Sequence, residues 1–141
     1  MSSLSLALAF AALPAGCRSG EQDRVKHAVH AWHADLAHGR GSQACARLTA
    51  GGRKDFLAGS LLGAFGDCEL LVKDTASMLT AIQRRFLALV VIRRVEIHGD
   101  RALVHDRDVM IPPQLRELAM PVDEPTVLRK VDGRWLLDDL G

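Results

Sequence analysis

The sequence predicts an α+β fold in which N-terminal helices pack on a curved, mainly antiparallel sheet. Apolar residues recur at helical spacing up to Leu87 and alternate with polar ones from Val91 onward, so helices precede strands along the chain. The chain also closes with two apolar-rich runs joined by Asp132-Gly133. This dipeptide is the strongest short-range signal for a two-residue hairpin turn, because Asp and Gly best tolerate positive φ. A strand pair is not stable alone in water, so the upstream helices are expected to cover it.

The helical part of the chain is predicted to contain one long helix and several short ones. Ser19 or Asp23 caps the long helix, and Gly39 or Gly41 ends it. The core face of this helix repeats at helical spacing and consists of Val25, Val29, Trp32 and Leu36. Shorter helices are expected over residues 43–48, 68–78 and 80–87, with one further turn at 53–57.

The second half of the chain is predicted to form the strands. Residues 91–98 alternate as one long strand, Gly99-Asp100 turns the chain, and residues 101–106 run back. Residues 110–125 carry four of the five prolines and predict a loop or a one-turn helix. In the closing hairpin, Trp135 and Leu137 share one face.

The N-terminus resembles the leader of a bacterial lipoprotein. Residues 4–13 are almost entirely Leu, Ala and Phe, a run too short to span a bilayer but suited to the core of a signal peptide. Small residues then precede Cys17, as in a lipobox, although Pro14 replaces the usual Leu and no basic residue precedes the run. We therefore expect a signal peptide with lipobox at 1–17, a short linker at 18–22 and a single domain at 23–141. The expected location is the outer face of the cell membrane, through a lipid on Cys17, or secretion. The alternative is an N-terminal amphipathic helix with an incidental cysteine.

The two remaining cysteines, Cys45 and Cys68, form an even pair in a chain expected to meet an oxidising compartment, which predicts a disulfide bond. The alternative is a pair of buried free thiols. The chain lacks a CxxC motif and any Cys/His cluster with ligand spacing, so neither a metal site nor another cofactor is expected.

Composition excludes one class of partner. The formal net charge is only +1, with basic and acidic residues nearly balanced, so nucleic acid is not an expected ligand. Four histidines occur on or just after the long helix, at positions 27, 30, 33 and 38. These histidines could form a pH-sensitive or metal-binding face. A solvated face is favoured, because no carboxylate lies four residues after any of them to complete a site.

Several motifs together resemble one family. They are Ala44-Cys45, Cys68-Glu69, the strand and turn over 95–102, and Asp132-Gly133-Arg134-Trp135. In this order they are similar to small exported lipoproteins of the nuclear transport factor 2-like superfamily, of the actinobacterial type. The resemblance implies a cone-shaped fold, with the sheet wrapped round the long helix and a pocket at the open end. Pocket or core residues would be Trp32, Phe65, Phe86, Trp135 and Leu137.

The resemblance leaves two functions open. The first is a membrane-anchored domain without catalytic residues that binds a small apolar ligand or a protein partner. The alternative is an enzyme similar to ketosteroid isomerase or polyketide cyclases, in which an inward carboxylate abstracts a proton. Its candidates are Asp106, which shares parity with Ala102 and Val104, and Asp35 and His33 at the helix edge. The chain contains no Tyr to stabilise an oxyanion.

Overall fold

The computed structural model describes residues 16–60, 66–110 and 124–141, with side chains from residue 19 onward. In these ranges helices come first and strands follow, which confirms the predicted α+β class. The helices are α1 (Gly16–Ala37), α2 (Gly41–Ala46), α3 (Ala50–Ala58), α4 (Cys68–Met78) and α5 (Ala81–Ala88). The strands are β1 (Val91–Ile92), β2 (Glu96–His98), β3 (Arg101–Val104), β4 (Val109–Met110), β5 (Thr126–Val131) and β6 (Arg134–Asp139), with a 3-10 turn at Asp106–Asp108.

Two antiparallel sheets carry the strands. The larger has the order β2-β3-β5-β6, and the smaller pairs β1 with β4. The outer edge of β6 is covered by the residues that link α2 to α3. There Leu137 donates its N–H to the carbonyl of Arg47 and accepts from the N–H of Thr49, at 2.9 and 2.8 Å. The segment before α3 therefore protects this edge from pairing with another chain.

The closing hairpin has the predicted two-residue turn. Val131 pairs with Arg134, and Asp132 and Gly133 have φ of 50° and 75°. A bulge between Val127 and Leu128 then shifts the register. Both of these residues are buried, although consecutive residues of a regular strand face opposite sides.

Helix α1 differs from the prediction at its start. It begins at Gly16, so residues 18–22, which were expected as a short linker, are helical. Glu21 on this turn accepts hydrogen bonds from Lys130 and Trp135 of the hairpin, at 2.9 and 2.8 Å. The other end is as expected, because Gly39 has φ of 66° just after the helix.

The predicted long strand at 91–98 is divided in the structure. β1 pairs with β4, whereas β2 pairs with β3, and residues 93–95 lie between them. Ile92 and Val95 are both buried although their spacing of three breaks strict alternation, so the chain must leave regular strand geometry to bury both. The predicted loop at 110–125 lies mostly outside the described residues, apart from Met110 in β4 and the residues from 124 onward.

The short helices agree with the sequence in type and mostly in extent. α4 has the predicted bounds, and α5 has a complete capping box between Thr80 and Gln83. α3 is longer than the expected single turn because Thr49 caps it by accepting from the N–H of Gly52. The predicted disulfide joins Cys45 of α2 to Cys68 at the start of α4, with 6.1 Å between their Cα atoms.

The core lies between α1 and the larger sheet. α1 contributes the predicted stripe of Val25, Val29, Trp32 and Leu36, and the sheet contributes Ala102, Val104, Leu128, Trp135 and Leu137. Each of these side chains is less than a tenth exposed. The long helix is therefore the element that covers the hairpin.

Candidate functional site

Three of the five residues expected to form a pocket or core are buried between α1 and the larger sheet. Trp32, Trp135 and Leu137 are 7, 6 and 0% exposed and belong to one continuous core. Phe56 of α3, which sequence reasoning did not single out, packs edge-on against Trp32 with ring centroids 5.9 Å apart. Phe86 is partly buried on α5 and lies outside this core cluster, and Phe65 lies outside the described residues. Trp32, Trp135 and Leu137 are thus core residues.

One polar feature stands out in this core. The indole N–H of Trp32 is buried without a hydrogen-bond acceptor among the described residues. An unpaired buried donor is costly, by about 1–3 kcal/mol. No sequence signal indicates this, because it depends on what surrounds the ring.

Asp35 is buried, and both of its carboxylate oxygens are occupied. Oδ1 accepts from Nε of Arg40 at 2.7 Å, and Oδ2 accepts from Nε of Arg47 at 2.6 Å. The two arginines flank α2, so the carboxylate ties that helix to the end of α1. A general base needs an oxygen that can reach the substrate proton. Because both oxygens of Asp35 already accept from arginines, this residue is the centre of a structural ion pair.

His33 is also held by local structure. Its Nδ1 donates to the carbonyl of Val29 one turn earlier, at 2.8 Å, and its ring meets the edge of Trp32. Burial lowers the pKa of His33, which outweighs the opposing effect of that hydrogen bond. The shift favours the neutral imidazole.

Asp106 does not face the interior, and that expectation is wrong. Strand β3 ends at Val104, and Asp106 begins the 3-10 turn as an exposed residue. Alternation along a strand predicts which face a side chain points to only while the strand stays regular. Strand β3 ends two residues before Asp106, so the alternation does not extend to that side chain. The three candidate catalytic residues consequently occupy an ion pair, a helix face and a surface turn, and no two of them share a hydrogen bond.

The remaining histidines on or just after the first helix have separate partners. Nδ1 of His30 donates to the carbonyl of Val90 at 3.1 Å, Nδ1 of His38 donates to the carbonyl of Ala34 at 2.7 Å, and His27 is exposed. Within the described ranges, no three His, Cys, Asp or Glu side chains are grouped so that they could hold a metal ion.

Two carboxylates that the sequence did not single out, Glu21 and Asp138, accept hydrogen bonds from residues far away in the chain. Hydrogen bonds from Lys130 and Trp135 hold the pKa of Glu21 below its ordinary value. Burial raises the pKa of Asp138, but hydrogen bonds from Thr49 and Arg129 outweigh it and lower the value overall. These partners are up to 114 residues apart in the chain, so no local pattern could have revealed them.

A third carboxylate lies between two histidines on the sheet. Glu96 approaches Nε2 of His105 at 3.4 Å and Nε2 of His98 at 3.9 Å. Glu96 pairs with Leu103, next to Ala102 whose side chain enters the core, so the cluster lies on the sheet face turned away from α1. Strand alternation over 96–105 could have suggested this grouping.

An open groove lies at the C-terminal end of α1. Its volume is about 300 Å³, and its lining residues are Ala37, His38, Gly39, Lys73, Ala76, Ser77 and Arg84. Arg84 donates to the carbonyl of Ala76 near the end of α4, at 3.1 Å. Arg84 here binds a carbonyl near the C-terminal end of α4, which is an ordinary structural role for a basic side chain.

Comparison with models of known families, with curated proteins and with solved structures found no match to this chain. Among the helices that the structure describes, none has the length and apolar character needed to cross a bilayer.

Proposed function

We propose that this chain is an exported, membrane-tethered domain of the nuclear transport factor 2-like type that acts by binding a protein partner. The observation that carries the proposal is the burial of the side chains that the resemblance assigned to a pocket or core. Trp32, Trp135 and Leu137 are each less than a tenth exposed and belong to one core cluster. A small-molecule site is normally a concave, largely pre-formed cavity, so the burial of these side chains in a core favours recognition at the surface.

The positions of the candidate catalytic groups favour a binding function over catalysis. Proton abstraction next to a carbonyl needs a free base and an oxyanion stabiliser that face the same substrate. Asp35 accepts from Arg40 and Arg47, and Asp106 lies on a surface turn. The enzyme of the ketosteroid isomerase type remains the alternative, and it would require these groups to rearrange.

One feature supports the compartment. The Cys45–Cys68 disulfide is compatible with an oxidising environment outside the cytoplasm. α1 begins at Gly16, so a lipid on Cys17 would be attached directly to the first turn of the folded domain. Such an anchor would hold the domain against the bilayer without a flexible spacer.

The tether is tested by fractionation of the host cell. The full chain is expected in the membrane fraction, and Cys17→Ser is expected to move it to the soluble fraction. The matched control is Ser19→Ala, an exposed position two residues later. Unchanged partitioning of Cys17→Ser would refute the lipid anchor.

The partner is tested by native mass spectrometry of the protein purified from its host in mild detergent. A complex of this chain with a second protein in fixed stoichiometry supports the proposal. A small apolar molecule retained in fixed stoichiometry would refute it in favour of ligand binding. Trp32→Phe distinguishes the two further, because only a ligand that accepts from the buried indole N–H would be lost with that substitution.

A further inference from the structure

The first turns of α1 and the turn of the closing hairpin lie at the same end of the domain. Glu21 of α1 accepts hydrogen bonds from Lys130 and Trp135, the second cross-strand pair from the hairpin turn. Cys17 precedes Glu21 in the same helix by about one turn, or about 6 Å along its axis. We infer that the first two turns of α1 and residues 131–134, here called the anchor end, rest on the headgroup layer of the bilayer. The inference rests on the proposed function, from which it takes the lipid on Cys17.

The hairpin turn points towards the start of α1 and not towards its other end. Farther from the turn, Leu137 donates its N–H to the carbonyl of Arg47, whose guanidinium binds Asp35 near the end of α1. Trp135 contacts the start of α1, whereas Leu137 is connected to its end. The strand that leads from Leu137 back to the turn therefore runs towards the start of the helix. The turn must then lie at least as close to the proposed lipid as Trp135 does.

A second turn of the larger sheet also lies at the anchor end. The N–H of Lys130 donates to the carbonyl of Asp100, in the turn between β2 and β3, at 2.7 Å. Lys130 thus contacts α1 through its side chain and the β2–β3 turn through its backbone. Three chain segments meet here, and they give the domain a broad end that a flat headgroup layer can support.

The side chains of the anchor end suit the headgroup layer better than the acyl region. Val131 is 41% exposed, but its neighbours Asp132 and Arg134 are charged and exposed, as are Asp23 and Arg24 on α1. Charges of both signs suit the phosphate and ammonium groups of a zwitterionic lipid. They do not give the net attraction to anionic lipid that a basic cluster gives. The lipid chain therefore supplies the affinity, and the anchor end sets the orientation of the domain.

The opposite end of α1 faces away from the bilayer in this orientation. α1 contains 22 residues and is about 33 Å long. Its last residue, Ala37, lines the open groove together with Ser77 of α4 and Arg84 of α5. Ser77 consequently lies near the end of α1 that is farthest from the proposed lipid, and it serves as the reference position.

The test measures how close each end of the acylated protein comes to the bilayer. Arg134→Cys and Ser77→Cys each place one thiol for a fluorescent probe at an exposed position. The labelled protein, purified from its host with the lipid attached, is reconstituted in phosphatidylcholine vesicles with or without a nitroxide quencher on the headgroup. A large loss of fluorescence is expected from the probe at 134. Little loss is expected from the probe at 77, because the length of α1 separates the two ends.

The possible outcomes separate the orientation from the tether. The probe reacts only with the introduced thiol, because the lipid occupies Cys17 and a disulfide joins Cys45 to Cys68. Mass spectrometry of each labelled variant reports the lipid and one probe per chain. In a chain that carries the lipid, equal loss at both positions, greater loss at 77, or no loss at either would overturn the orientation and leave the tether intact. A chain that carries no lipid would refute the proposed tether, and the inference with it.

Discussion

Gly52 is the position where the packing of this fold can be tested most sharply. It lies in the first turn of α3, is buried, and faces the backbone of β6. A methyl group added there would overlap the carbonyl oxygen of Leu137 and lie 3.1 Å from its carbonyl carbon. The same oxygen accepts the hydrogen bond from Thr49, so α3 cannot move away without disturbing that contact.

The expected change in the free energy of unfolding for Gly52→Ala follows from two opposing effects. Replacing Gly by Ala within a helix stabilises it by up to about 1 kcal/mol. Forcing an extra carbon into a packed site costs about 1–3 kcal/mol, and the upper end applies because backbone atoms on both sides resist displacement. Gly52→Ala should therefore lower the free energy of unfolding by about 2 kcal/mol.

Gly51→Ala is the matched control. Gly51 is exposed, and its added methyl would lie 3.3 Å from a side-chain oxygen of Asp138 and 3.4 Å from that residue's carbonyl oxygen. Its stability should stay within about 1 kcal/mol of the original protein. The assay is urea unfolding followed by the fluorescence of the two buried tryptophans. If Gly52→Ala equals or exceeds Gly51→Ala in stability, the close approach of α3 to β6 is wrong.

Three further predictions concern the disulfide, the buried ion pair and one histidine. Replacing Cys45 and Cys68 by Ala should cost about 3 kcal/mol, because their separation of 23 residues closes a loop of that order; the midpoint of urea unfolding measures it. Asp35→Asn should cost about 2 kcal/mol by the same assay, since two partly exposed arginines lose their carboxylate. Because the pKa of His33 is lowered on folding, the unfolded chain takes up more protons as pH falls below about 6.5, and stability decreases. His33→Gln should make stability between about pH 7 and pH 5 depend less on pH.

Each of these predictions has a control and a result that would contradict it. A reductant should destabilise the original protein but leave the double cysteine variant unchanged, and equal sensitivity of both would count against the bridge. Asp23→Asn changes an exposed aspartate on the same helix and should be neutral, so an equal cost at both sites would remove the special role of Asp35. His27→Gln, at an exposed position, should leave the pH dependence as it is. An unchanged pH dependence in His33→Gln would mean that burial does not hold this ring neutral.

Much of the architecture could be predicted because its signals are local. The turn at Asp132-Gly133, the capping box of Thr80 and Gln83, and the bounds of α4 depend on residues a few positions apart. The candidate site could not be predicted in the same way. Alternation placed Asp106 on the inner face, but the strand ended before it. Helical spacing predicted Asp35 at the edge of a pocket, but its carboxylate accepts hydrogen bonds from Arg40 and Arg47, which lie beyond α1.

The sequence by itself determined the order of helices and strands, the hairpin turn and the pairing of Cys45 with Cys68. Only the tertiary structure decided that Trp32 and Trp135 belong to one core, that Glu21 binds the hairpin, and that Ile82 of α5 stays exposed. The physical reason is the range of each interaction. Periodicity and turn chemistry record how a segment prefers to fold, whereas a partner across the core is chosen only when the whole chain has packed.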